Sequence, residues 1–205
     1  MKILGVSISI DNKKLGAIPS VSFPVGITCA ECARSSCLVG GCYAARMCRV
    51  RPSIAEAWRG NLEAWQTRPE DVKKAIISQA MLSRFFRYFI GGDIPDAAFF
   101  AAMVEIARAC SSCTFLAFTK KYEIVNAYAA EFGADAIPAN LHIIFSKWRA
   151  EIPNPYDFPT SRVLFTAEEI ETAAAVCGGN CAECICRGVS CWSLKKGEEI
   201  GFIKH

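Results

Sequence analysis

Histidine is nearly absent from this chain. Only His142 and His205 occur in 205 residues, and neither lies inside a group of cysteines. That argues against zinc sites of the mixed cysteine–histidine kind. Long hydrophobic runs are missing too, since no segment approaches the roughly 20 apolar residues that cross a bilayer. The start, MKILGVSISIDNKK, has no apolar h-region and no small-residue cleavage site, so no secretory signal is read there. The net charge of +3 comes with no basic run or tail, whereas nucleic-acid binders usually carry a basic stripe. There is no internal repeat, no low-complexity tract and no long linker. Pro153-Asn154-Pro155 with Pro159 reads as a loop, so one domain, 1–205, is expected.

Cysteine is abundant instead, with twelve in the chain. Five cluster near the start (Cys29, Cys32, Cys37, Cys42, Cys48) and five near the end (Cys177, Cys181, Cys184, Cys186, Cys191). Without a secretory signal the chain is expected in a reducing cytoplasm, where grouped cysteines hold metal or do redox chemistry. A chain of this length with 52% hydrophobic residues builds a core without disulfide staples. The spacings are C-x2-C-x4-C-x4-C from Cys29 to Cys42, and C-x3-C-x2-C from Cys177 to Cys184 with Cys191 beyond. Neither is a tandem zinc ribbon. Staggered, all-thiolate sets favour iron–sulfur clusters, with zinc as the alternative. The expected metal ligands are Cys29, Cys32, Cys37 and Cys42 in a loop over 29–48, and Cys177, Cys181, Cys184 and Cys191 in a loop over 177–191. A cubane takes at most four thiolates. Cys48 therefore reads as structural, and Cys186, one residue past Cys184, as left out. Cys110 and Cys113 read as core thiols.

Between the two sets, over about 54–166, strand and helix patterns alternate. One strand is expected over Lys2–Ile10. Helices are expected from Ile54 to Gln66 with Ser53 as N-cap, and from Pro69 with an apolar face of Val72, Ile76, Ile77, Ala80 and Leu82. The run Phe85–Ile90 ends at Gly91-Gly92-Asp93. A helix from Asp96 to Cys110, a strand Thr114–Thr119, a helix Tyr122–Phe132 stopped by Gly133, and strands Leu141–Phe145 and Arg162–Phe165 follow. Continuously apolar strands joined by helices predict a parallel α/β sheet covered on both faces. In such sheets functional residues gather past the carboxyl ends of the strands. That rule selects Asp93, Thr119, Lys120, Ser146, Lys147 and Thr166. Tight turns, caps and solvated lysines account for each of these taken alone. Arg46, Arg49 and Arg51 form a short basic patch beside the first cysteines.

The loop Cys29…Cys37…Cys42-Tyr43-Ala44, then Gly92-Asp93, Phe118-Thr119-Lys120, Ser146-Lys147-Trp148 and Cys191-Trp192…His205 together resemble the phage gene product 88 family, over about Phe23–His205. That family resembles a shortened relative of the radical SAM enzymes. The cysteine loop followed by Phe89-Ile90-Gly91-Gly92-Asp93-Ile94-Pro95 is similar to their cluster loop and Gly-Gly-Glu-Pro segment, which follows the second barrel strand and contacts S-adenosylmethionine.

The resemblance implies an α/β fold, a partial (βα) barrel like a shortened radical SAM core, with cysteine-rich metal-binding loops near both ends. It implies one or two 4Fe–4S clusters, with Gly91 and Gly92 at S-adenosylmethionine. Those enzymes hold their cubane with three cysteines, so four bound thiolates in the first loop would leave no iron open for that cofactor. The C-terminal set is similar to an auxiliary cluster. Asp93, Lys120 and Ser146 are the candidate catalytic residues of a redox or radical reaction. The expected partners are an electron donor and a small-molecule substrate, with no membrane. The expected place is the cytoplasm of a bacterial or phage-infected cell. A non-catalytic metal-stabilised binding module, or a nucleic-acid accessory role for the Arg46–Arg51 patch, are the competing readings.

Overall fold

A computed structural model describes residues 1–10, 12, 14–29, 41–147, 151–187 and 191–203. The chain opens with a hairpin. Strand β1 (Lys2–Ile3) pairs antiparallel with β2 (Val6–Ser9). The single strand expected over Lys2–Ile10 is broken at Leu4-Gly5, where φ is 50° and 83°. Glycine enters that left-handed region at no steric cost, and the pair makes a tight hairpin turn.

Strand β3 (Ser20–Val21) runs antiparallel to β2. From there β4 (Phe85–Tyr88), β5 (Thr114–Thr119), β6 (Leu141–Ser146), β7 (Thr160–Leu164) and β8 (Glu199–Ile203) add in chain order, each parallel to the last. The result is a mixed α/β protein on one eight-stranded sheet, with β1 and β8 unpaired to each other among the described residues.

Four of the five connections between parallel strands are helical; β6 and β7 are joined without a helix among the described residues. Helices α1 (Tyr43–Val50), α2 (Pro52–Thr67) and α3 (Pro69–Ala80) lie between β3 and β4. Helix α4 (Ala97–Ala109) leads to β5, and α5 (Tyr122–Phe132) to β6. Helices α6 (Ala167–Thr172) and α7 (Cys181–Arg187) lie between β7 and β8.

Local chemistry sets most ends. Pro52 and Pro69 open α2 and α3, where a missing N–H costs nothing. Ser53 is not the cap of α2; Arg51 takes that position, and Ser53 lies in the first turn. Asp96 caps α4 by accepting from the Phe99 N–H at 2.7 Å. The face of α3 buries Val72, Ile76 and Ala80, but Leu82 lies past the helix end and is 83% exposed.

Both faces of the sheet are covered, which explains the unbroken apolar strands. Phe86, Tyr88, Phe115, Ala117, Ile143 and Phe145 pack in one core with Ile76, Phe99, Phe100 and Met103 from the helices. Leu116 and Ile144 face the other way, onto Leu15, Ile18 and Trp192. The sheet curves strongly. Phe118 of β5 and Phe202 of β8 touch, with ring centroids 5.5 Å apart, although two strands separate them. In a flat sheet those strands would stand about 14 Å apart. No helix among the described residues is long and apolar enough to cross a membrane.

The turn after β4 leaves no room for side chains. Gly92 has φ 75°, and a Cβ there would lie 2.4 Å from the Phe23 carbonyl oxygen. A Cβ on Gly91 would lie 2.2 Å from the Trp58 ring. Gly133, also left-handed at φ 87°, has nothing among the described residues within 4 Å of that point. Urea unfolding is therefore expected to show Gly92→Ala costing about 3 kcal/mol and Gly133→Ala only about 1 kcal/mol. Equal costs would mean that close approach is not what requires glycine at Gly92.

Candidate functional site

Side chains tie the tips of β3, β4 and β5 together. Ser22, just past β3, accepts from the N–H of Ile90 (3.0 Å) and of Gly91 (3.4 Å). Asp93, past β4, is buried. Its Oδ1 accepts from the Thr119 hydroxyl at 2.6 Å and the Ile94 N–H at 2.8 Å, and its Oδ2 from the Lys120 N–H at 2.9 Å. The Asp93 N–H donates to Thr28 Oγ1 at 3.0 Å, and the Thr28 hydroxyl donates to the Pro24 carbonyl at 3.1 Å. Thr28 directly precedes Cys29. Burial pushes the Asp93 carboxyl above its ordinary value, against the pull of the Lys120 charge, the Thr119 hydroxyl and the two amides.

A cavity of about 1120 Å³ lies against the sheet. Ser20 of β3, Arg87 of β4, Phe118 of β5 and Phe202 of β8 line it, with Tyr43 of α1 and Trp58 of α2. Cys177, Cys181 and Cys191 complete the wall from the C-terminal segment. Arg87 stands in register with Ser20 on one side and Leu116 on the other. Its guanidinium lies 4.5 Å from the Phe118 ring centroid, and its Nε donates to the Tyr88 carbonyl at 3.1 Å.

The C-terminal segment folds back onto the sheet. The Cys177 N–H donates to the Gly201 carbonyl at 2.8 Å, and the Cys181 N–H to the Lys14 carbonyl at 3.0 Å. Trp192 stacks edge-on against Phe85, at 5.2 Å. This brings the four expected ligands of that set within electrostatic reach of one another. Burial pushes the Cys191 thiol up to about 12, with Arg87 pulling it down and Cys177, Cys181 and Cys184 pushing it further up. Cys181 is raised by burial as well, with Arg87 and Lys14 opposing and Cys177 and Cys184 adding. These are soft donors that repel one another when ionised, and the Arg87 and Lys14 charges offset that repulsion. As the side chains stand, no three His, Cys, Asp or Glu groups among the described residues converge on a single ion position.

Of the first set, Cys29 and Cys42 are half-buried, at the two ends of the loop. Cys32 and Cys37 lie outside the described residues, as do Trp148, His205 and the side chain of Cys186. Tyr43 beside Cys42 donates its hydroxyl to the Ile90 carbonyl. Cys48 on α1 has a thiol raised by burial and by Cys42, with Arg59 opposing. Cys110 and Cys113 are buried in the helix-side core.

The selected rim residues meet in two groups. Asp93, Thr119 and Lys120 form one. Ser146 belongs to the other: its hydroxyl lies 3.5 Å from that of Ser161, and its carbonyl accepts from Tyr122. Lys147 pairs with Glu199, which also bonds Arg162 Nε at 2.8 Å and the Thr160 hydroxyl at 3.0 Å, joining β6, β7 and β8. Thr166 is the N-cap of α6 in a capping box with Glu169. Gly91, Gly92, Asp93, Lys120 and Ser146 all lie off the cavity wall. The residue that sequence reasoning missed is Arg87. Its signal was present: it is the one charge in the aromatic run Phe85–Ile90.

Fold and site define an α/β protein with a mostly parallel sheet and a cavity that three cysteines help to line. The family model for gene product 88 matches residues 7–197, and the chain belongs to that family. No curated protein and no solved structure matches the chain.

The raised Asp93 carboxyl has a sign. The fold favours its protonated form, so its contribution to stability is complete below the unfolded value and is lost as pH rises through the folded one. Relative to Asp93→Asn, wild type is expected to lose stability as pH rises from the ordinary carboxylate range through the raised folded value, read from urea midpoints at each pH. A difference that grows in the opposite direction would mean that the amides and the Lys120 charge outweigh burial.

Proposed function

We propose that this protein binds iron–sulfur clusters and performs redox or radical chemistry on a small molecule held in the cavity. Cys177, Cys181, Cys184 and Cys191 would hold one cluster, and Cys29, Cys32, Cys37 and Cys42 a second. The observation that carries the reading is the gathering of Cys177, Cys181 and Cys191 at the cavity wall, with Cys184 and Arg87 within electrostatic reach of Cys191. A cluster there would supply one-electron transfer, with its potential set by burial, hydrogen bonds to sulfur and nearby charge.

The radical SAM resemblance and the partial-barrel description belong to the same proposal. Their support is topological. The first cysteine loop follows β3, the first of six parallel strands, and Gly91-Gly92 follows β4, the second. Three thiolates from the first loop would leave an iron open for S-adenosylmethionine, and four would leave none. Asp93, Lys120 and Ser146, the candidate catalytic residues by the strand-end rule, do not line the cavity and would act on its contents only by positioning the segments they hold. The hydrogen bonds of Asp93 suit it to positioning: it fixes Thr28, and so the start of the loop at Cys29.

Protein purified without oxygen is expected to be brown, to absorb near ~400 nm and to bleach with dithionite. Cys184→Ala should remove about four irons per chain, one cluster's worth. Unchanged iron in that variant would overturn the C-terminal ligand set. Colourless protein with stoichiometric zinc would replace the redox reading with a structural metal site.

A further inference from the structure

The charge of the cavity is one-sided. Lys2, Lys14, Arg51 and Arg87 line it, and none of its described lining residues is an aspartate or glutamate. None of the four makes an ion pair among the described residues. Lys2, Lys14 and Arg51 are exposed, whereas Arg87 is half-buried in the sheet. A half-buried guanidinium that faces no carboxylate is costly to desolvate, and an anionic ligand would relieve that cost. Arg87 is also held in place. Its Nε is used on Tyr88 and its plane lies on Phe118, while its two terminal nitrogens make no hydrogen bond among the described residues.

A second observation is independent of charge. Ser20 is 1% exposed, and its Oγ is buried with no hydrogen-bond partner among the described residues. Buried hydroxyls are rarely left so. Ser20 lines the same cavity and sits in register with Arg87 on the neighbouring strand, so their side chains leave the sheet on the same face. Together they offer a planar cation and a hydroxyl side by side, the pairing that receives a carboxylate or phosphate.

We propose that the cavity is a site for a small organic anion, its carboxylate or phosphate on Arg87 and Ser20 and its apolar body against Phe118 and Phe202. Lys14, over the Phe202 ring at 5.8 Å, adds charge at the same wall. The inference rests on the reading of this cavity as a substrate site and names that substrate's class. It needs no metal.

Calorimetric titration of the full chain at low salt tests it with four probes: benzoate, phenyl phosphate, benzyl alcohol and benzamidine. Iron is measured in the same samples. The two anions are expected to bind, the stronger of them naming the group, while the neutral alcohol and the cation do not. Arg87→Gln should weaken anion binding roughly tenfold and Ser20→Ala roughly threefold, at unchanged iron content. Circular dichroism checks each fold, and if Arg87→Gln fails to fold, Ser20→Ala and Lys14→Gln carry the comparison. Benzyl alcohol binding as tightly as benzoate would overturn the proposal. So would an Arg87→Gln protein that loses iron but keeps its anion affinity, since Arg87 would then serve the thiolates instead. Wild type that binds anions but holds no iron would overturn the cluster reading and leave this one standing.

Discussion

The carboxylate of Asp93 is the constraint on which the rim depends. It is out of water, and its two oxygens take three donors from the ends of β4 and β5. Its own N–H fixes Thr28, so the loop that starts at Cys29 leaves the sheet from a set point. Desolvating a carboxylate costs several kcal/mol unless its lone pairs are satisfied, and here the donors come mostly from backbone and one hydroxyl. Gly91 and Gly92 serve the same joint by letting Trp58 and the Phe23 carbonyl close in.

The cavity follows from curvature. Because the sheet bends until Phe118 meets Phe202, residues from β3 to β8 come to line one space. The C-terminal segment is pinned there by backbone bonds to Lys14 and Gly201 and by Trp192 on Phe85. Two kinds of chemistry thus share a wall: thiols that repel one another when ionised, and cations without carboxylate partners. The helix-side core, by contrast, is aromatic and buried around Phe86, Phe99 and Phe115.

Much of this was legible in the sequence. Strand β5 and helix α5 fall where their patterns predict, since an apolar run before Lys120-Lys121 and a stop at Gly133 are strong local signals. Asp96 is a cap as its spacing implies. Strand β3 was not legible, because a two-residue strand between proline-rich stretches carries no periodicity. Strand β8 was hidden behind the cysteines. The hairpin break at Leu4-Gly5 was masked by β-branched residues on either side. Ser53 misled because a proline at the first helical position outweighs a nearby serine. For the site, the cysteine groups and the Gly91-Gly92-Asp93 turn stood out by type and spacing. Arg87 did not, because its meaning depends on which strand lies beside it and which face it leaves.

Strand β8 would be the exposed margin of the sheet were it not for the residues just before the cysteine helix. Gly201 exchanges backbone bonds with Ala175 and Cys177, so the stretch at Val176 lies along that margin like a short ninth strand. An uncovered strand margin recruits other chains. Losing that short bridge would uncover the β8 margin and favour self-association, while the interior beneath the helices stayed folded.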